Sequence, residues 1–243
     1  MHRCFVSPDA WKRDRLLLDD EESRHLVTVL RAGIGAAVLA FDGEGREADA
    51  EVASLGKHAA LRVLTEHPMR PRLTPRVTLI QALPKGTHMD DIVEKATELG
   101  VAEIRPVMTE RVVRRPGDDR APKQVARWRR IAVSAAKQCG TPWVPAIHAP
   151  APLAAALAAV RNEADLFLVG SLEPKARPAR EILRAARTTA RVALLIGPEG
   201  DLSPDEYRMA RESGAIPLSF GPLVLRVETA ALYGLSAINC ELR

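Results

Sequence analysis

Cysteine and aromatic side chains are scarce in this chain, and long apolar runs are missing altogether. Its 243 residues include only three cysteines, Cys4, Cys139 and Cys240, none of them in a C-x-x-C pair. That excludes a disulfide framework and suits three reduced thiols in a cytosolic, cytoplasmic protein. The six histidines show no H-x-x-x-H spacing and no cysteine cluster, so no metal site is expected. Aromatics make up 4%, which argues against RNA capture by base stacking. No segment approaches the ~20 apolar residues that span a bilayer. The start, "MHRCFVSPDAWKRDR", has no apolar stretch of the signal-peptide kind. A membrane partner is therefore not expected.

Several binding signatures are missing too. There is no G-x-x-x-x-G-K-[ST], no G-x-G-x-x-G after a strand and no G-x-S-x-G. Those absences exclude a P-loop, an ordinary dinucleotide or Rossmann-methyltransferase site, and a nucleophile elbow.

What is present is a concentrated positive charge. The net charge is +4, yet the stretch from Arg105 to Arg130 carries nine basic and three acidic residues, leaving the remainder at −2. Such a field fits the footprint of a nucleic-acid partner, or a solvated basic helix and loop.

The first 67 residues differ from the rest. A helix is expected over 20–31, with Leu26, Val29 and Leu30 as its apolar stripe and Arg24, Thr28 and Arg31 on another face, beside His25. Three short strands follow, at 36–41, 46–55 and 59–67, joined by "DGEG" and "GKH". This pattern predicts a small β-barrel-like domain. Residues 68–76, with Pro68, Pro71 and Pro75, read as a linker. From 77 to 243 strands and helices alternate, which predicts an α/β domain with a mainly parallel sheet covered on both faces.

Three strands of that domain end in glycine: Gly170 in "LFLVGS", Gly197 in "LLIGPEG" and Gly221 in "LSFGPLVLR". Glycine lets a backbone approach a flat ligand closely. Ligands of open α/β sheets bind beyond the carboxyl ends of strands. Ser203, Pro204 and Glu206 define a sharp helix start after "GPEGDL". The loops are thus short and stiff, suited to a ligand or to plain turns.

"LLIGPEGDLSPDE" followed by "LSFGPLVLRVETAALYGLSAI" resembles the RsmE family, S-adenosylmethionine-dependent 16S ribosomal RNA uridine N3-methyltransferases of the SPOUT superfamily. "SRHLVTVLRAGIG" with "FDGEG" resembles that family's N-terminal PUA-like RNA-binding barrel. "IQALPKGTHMDDIVEKATELGVAEIRPV" with "RWRRIAVSAAKQCG" resembles the start of its catalytic domain. The resemblance implies a PUA-like barrel over 1–67 and a trefoil-knotted SPOUT domain over 77–243. It also implies a homodimer, and a substrate that is 16S ribosomal RNA within the small ribosomal subunit. Cofactor contacts would come from Leu168, Gly170, Ser171, Ile196, Gly197, Pro198, Gly200, Leu218, Phe220, Gly221, Leu225 and Thr229. Arg226, Glu228 and Glu199 would carry the chemistry, and Arg3, Arg24, His25, Arg31, Arg114 and Arg115 would meet RNA. The chain departs from the pattern at four places. Asp201 and Leu202 replace a glycine and an aromatic, Leu223 replaces an arginine, and none stands near Thr141-Pro142. A ribosome-associated RNA-binding protein that keeps the fold without the reaction is the alternative.

Overall fold

The computed structural model describes residues 1–12, 15–56, 58–111, 121–186 and 188–243. They form two compact units, Met1–Arg72 with Val133–Val144, and Leu73–Ala132 with Pro145–Arg243.

The first unit holds β1 (His2–Phe5), β2 (Arg15–Leu17), α1 (Asp20–Arg24), β3 (Ala37–Phe41), β4 (Glu47–Ser54) and β5 (Ala60–Glu66). Its sheet runs β1-β3-β4-β5-β2, antiparallel except for the β1–β3 pair. Strands β1 and β2 were not foreseen, because three or four residues without flanking turn signals carry no readable alternation. The β3–β4 turn is set by Asp42, whose carboxylate accepts from the backbone N–H of Glu44 and of Arg46 at 2.7 and 3.0 Å. Gly45 follows with φ of 105°, and a Cβ there would lie 2.4 Å from the Trp143 ring.

The expected helix over 20–31 needs correction. α1 ends at Arg24, and His25–Val29 continues as a π-helical turn, closed by Leu30 N–H donating to His25 O at 3.0 Å. The wider turn rotates Val29 outward, so Leu26 is buried while Val29 is 64% exposed. Arg31, at φ 49°, lies past the helix end and off the Arg24–Thr28 face. Buried Glu22 instead anchors this region, accepting from Phe5 N–H at 3.1 Å and pairing with Lys137. Burial, with the Glu22 charge adding, pushes the Cys4 thiol up to about 12.

The second unit holds β6 (Arg76–Ala82), α2 (His88–Glu98), β7 (Glu103–Met108), α3 (Ala121–Cys139), β8 (Ala146–Ile147), β9 (Ala151–Pro152), α4 (Leu153–Val160), β10 (Leu166–Gly170), β11 (Arg177–Pro178), α5 (Ala179–Ala185), β12 (Arg191–Ile196), α6 (Pro204–Glu212), β13 (Ile216–Ser219) and α7 (Val227–Leu242). The last turns of α3, from Val133, group with the first unit. The sheet order is β11-β13-β10-β12-β6-β7-β8, with β9 also beside β7, and every pairing is parallel. Side chains alternate across it. Phe167, Val169, Ala193 and Leu195 pack with α4 and α6, whereas Leu194 lies under Gly234 of α7. Both faces are thus covered, as near-continuous apolar strands require.

Thr87 precedes α2 without a side-chain cap bond. Ser203 does cap α6: its Oγ accepts from Glu206 N–H at 3.3 Å, and Glu206 accepts in return from Ser203 N–H at 2.9 Å. Glu206 also accepts from Glu110 N–H at 2.7 Å, tying the exit of β7 to this helix start. Ser203→Ala should therefore cost about 1 kcal/mol in denaturant unfolding. An unchanged midpoint would show the box to be dispensable.

Candidate active site

The three glycine-ended strands, separated in sequence, stand side by side in the order β13-β10-β12. Their carboxyl-end loops enclose a cavity of about 380 Å³. That lies within the ~300–1,000 Å³ range of small-ligand sites. Of the expected cofactor contacts, Gly170, Ser171, Ile196, Gly197, Pro198, Phe220, Gly221 and Leu225 line it. Leu168 and Leu218 lie buried in the strands, and Gly200 and Thr229 are exposed without lining the cavity. Arg226, Glu228 and Glu199 line it as well.

The glycines are required by the protein before any ligand. A Cβ on Gly170 would meet Phe220 Cε2 at 2.9 Å and Ile196 Cδ1 at 3.1 Å. On Gly234 it would meet Leu194 at 2.7 Å and Phe220 Cζ at 3.1 Å. The Phe220 ring thus occupies a slot between β10 and α7, with its outer side tilted against Tyr233 at 5.3 Å. Gly221 is different: space around it is open, but its φ of 118° admits little else.

The Gly197–Asp201 loop survives its departure from the family pattern. Asp201 adopts φ 62°, a conformation asparagine and aspartate tolerate, and its N–H donates to Pro198 O at 2.9 Å. Its carboxylate accepts from the Tyr207 hydroxyl and from Leu202 N–H, each at 2.8 Å. Burial, with Asp201 adding its charge, pushes the Tyr207 phenol well above its usual range, so it stays a donor. Leu202 is buried beneath Gly197.

Charged groups meet at the rim. Glu199 accepts from Lys85 N–H at 2.8 Å, joining the glycine loop to the segment entering α2. Arg226 is the N-cap residue of α7 and exposed, with no ion pair or hydrogen bond of its guanidinium among the described residues. Glu228 lies in the first turn of α7, where the helix dipole favours an acid. Its Oε1 is 3.9 Å from His88 Nδ1. His88 was not foreseen: one histidine opening a helix carries no signal until the sheet brings α7 beside it. Ser219 and Val224 also line the cavity, as does Leu172, which was not foreseen. Leu223 and Val224 stand 74% and 77% exposed at its edge.

In the first unit, Arg24 and Arg31 are exposed and His25 half-buried. Arg3 is already engaged: it pairs with Glu47 at 2.8 Å, donates to Thr141 O and covers the Phe41 ring. Arg3, expected to meet RNA, thus has internal partners within the first unit. Arg114 and Arg115 lie outside the described residues. Among the described residues no cluster of three metal-ligating side chains occurs, and no helix is long and apolar enough to cross a membrane.

A parallel α/β unit with this cavity, preceded by a small β unit, has the organisation of a two-domain RNA methyltransferase. Residues 71–239 match the family model described as an RNA methyltransferase domain, and residues 18–64 match an RNA methyltransferase PUA domain. Ribosomal RNA small subunit methyltransferase E from Bacillus subtilis is 30% identical, over 91% of this chain and 88% of its own length. The protein of that name from Mycobacterium bovis is 30% identical over 92% and 85%. A structure of the Neisseria gonorrhoeae enzyme bound to S-adenosyl methionine superposes with a TM-score of 0.86 at 29% identity, covering 100% of this chain and 98% of that one. A putative methyltransferase from Legionella pneumophila, in complex with bound SAM, gives 0.90 at 30% identity, covering 99% and 97%. The chain belongs to the family of ribosomal RNA small subunit methyltransferase E.

Proposed function

We propose that this protein methylates uridine N3 in 16S ribosomal RNA of the small subunit, using S-adenosylmethionine. The observation that carries the reading is the convergence of the three glycine-ended loops on one cavity with Arg226 and Glu228 at its rim. The fit to the cofactor is chemical as well as steric. Apolar Ile196, Phe220 and Leu225 suit an adenine, and Glu199, Asp201 and Glu228 suit a molecule bearing cationic sulfonium and ammonium groups. When bound, S-adenosylmethionine supplies an electrophilic methyl group.

The protein's own part is positioning and charge. The glycine loops orient the donor and the cavity walls exclude water, which together supply several kcal/mol of the barrier. N3 lies on the pairing edge of uracil, so the base enters unpaired. Arg226 stabilises the negative charge that develops on the base, and Glu228 takes the N3 proton. Glu199, held by Lys85 N–H, keeps the glycine loop in place.

Arg24, His25 and Arg31 serve as RNA contacts of the first unit, and the cell compartment is the cytoplasm. Family resemblance supports a trefoil knot in the second unit and a homodimer. The test is incubation with radiolabelled methyl donor and undermethylated small subunits, followed by mapping of the modified nucleoside. Label in N3-methyluridine supports the reading. RNA binding without donor affinity or turnover favours the non-catalytic alternative.

A further inference from the structure

We propose that the exposed basic face of α3 is a phosphate-binding surface that holds the backbone of the substrate RNA. This rests on the reading of the substrate given above. α3 carries five basic residues, Lys123, Arg127, Arg129, Arg130 and Lys137, and no acidic one along its 19 residues. Trp128, Ala132, Ala135 and Ala136 fix its orientation, since all four are buried. At 3.6 residues per turn, Lys123, Arg127 and Arg130 then fall on the opposite side, within an arc of about 60° and along about 10 Å of helix. All three are exposed. Arg129 is exposed too, but it projects roughly 100° away from Arg130.

The partners of these cations separate internal ties from free charge. Lys137 pairs with buried Glu22, and Arg127 pairs with Asp90. The charged groups of Lys123 and Arg130 have no ion pair or hydrogen bond among the described residues. Like charges three and four apart on a helix repel, and Lys123, Arg127 and Arg130 have that spacing. Acids interleaved among them would relieve the repulsion within the helix, and α3 supplies none. The charge is left for an anion from outside.

The surroundings select which anion. The Arg127–Asp90 pair sets this face beside the first turn of α2, whose His88 lines the donor cavity. A base entering that cavity brings its flanking phosphates toward the same end of α2. None of the exposed large apolar side chains among the described residues belongs to α3. The face therefore lacks the anchor that a protein partner buries, or that an interfacial helix inserts into lipid. A row of cations without such an anchor suits a phosphate backbone, which is neutralised and positioned rather than read.

The test is the salt dependence of binding. The parent protein, a Lys123→Gln/Arg130→Gln double variant and Arg129→Gln are each titrated onto undermethylated small subunits, from about 50 to 200 mM salt at constant magnesium. Each phosphate contact contributes about 0.7–0.9 to the slope of log affinity against log salt. The double variant should lose about 1.5 of that slope and bind about tenfold or more weakly at the low-salt end. Arg129→Gln should keep the parental slope, because its charge lies off the face. S-adenosylmethionine affinity, read by calorimetry, stays at the parental value in both, which excludes a folding defect. Equal slopes for the parent and the double variant would overturn the inference. So would an equal loss in Arg129→Gln, since the effect would then be one of net charge alone. A parent that binds subunits with the steep slope yet transfers no methyl group would instead sink the methyl-transfer reading and leave this surface standing.

Discussion

Replacing Arg226 by alanine is expected to lower methyl transfer by about 10²–10³-fold, the loss typical of removing one preorganised donor from a developing negative charge. S-adenosylmethionine affinity should change little, because most of the cavity lining comes from the three loops and Arg226 stands exposed at its edge. The residue is the N-cap of α7, exposed on the cavity edge, and its guanidinium has no partner among the described residues. No internal ion pair must be broken before it meets substrate. Arg226→Lys should recover part of the rate, since the charge returns without the planar fork. Single-turnover rates beside donor calorimetry read both quantities. Retention of most activity in Arg226→Ala would remove this residue from the reaction.

Gly170→Val should have the next largest effect, on the cavity and on stability together. Even the first added carbon would sit 2.9 Å from Phe220 and 3.1 Å from Ile196, and valine adds two more. Toward α7 the ring already sits where a Cβ on Gly234 would be 3.1 Å from its Cζ. Overpacking of this kind costs about 1–3 kcal/mol. It should also weaken donor binding by about tenfold or more, since each 1.4 kcal/mol is a factor of ten. Phe220→Leu in the same chain should restore stability by vacating the slot. If Gly170→Val bound the donor normally, the loop after β10 would not be part of the site.

Much of the second unit was legible because its signals are local. Gly170, Gly197 and Gly221 mark strand ends, the α6 start carries its own capping box, and each buried strand is an apolar run. The convergence of the three glycine loops was not legible, since strand order is decided by long-range pairing and not by any one segment. For the same reason the Phe220 slot was invisible: it needs Gly170 and Gly234, 64 positions apart, on one ring. In the first unit the helical period misled, because a π turn from His25 to Val29 breaks it. Arg3 looked like a surface cation, and only tertiary structure brings Glu47 and Thr141 to it.

The rim residues Leu223 and Val224 bear on how this protein should respond to ionic strength. An arginine against a phosphate releases a condensed counterion, and each such release steepens the fall of affinity with added salt. A bare apolar pair releases none. An apolar pair at this rim should therefore give RNA affinity a shallower dependence on salt than an arginine in the same place would.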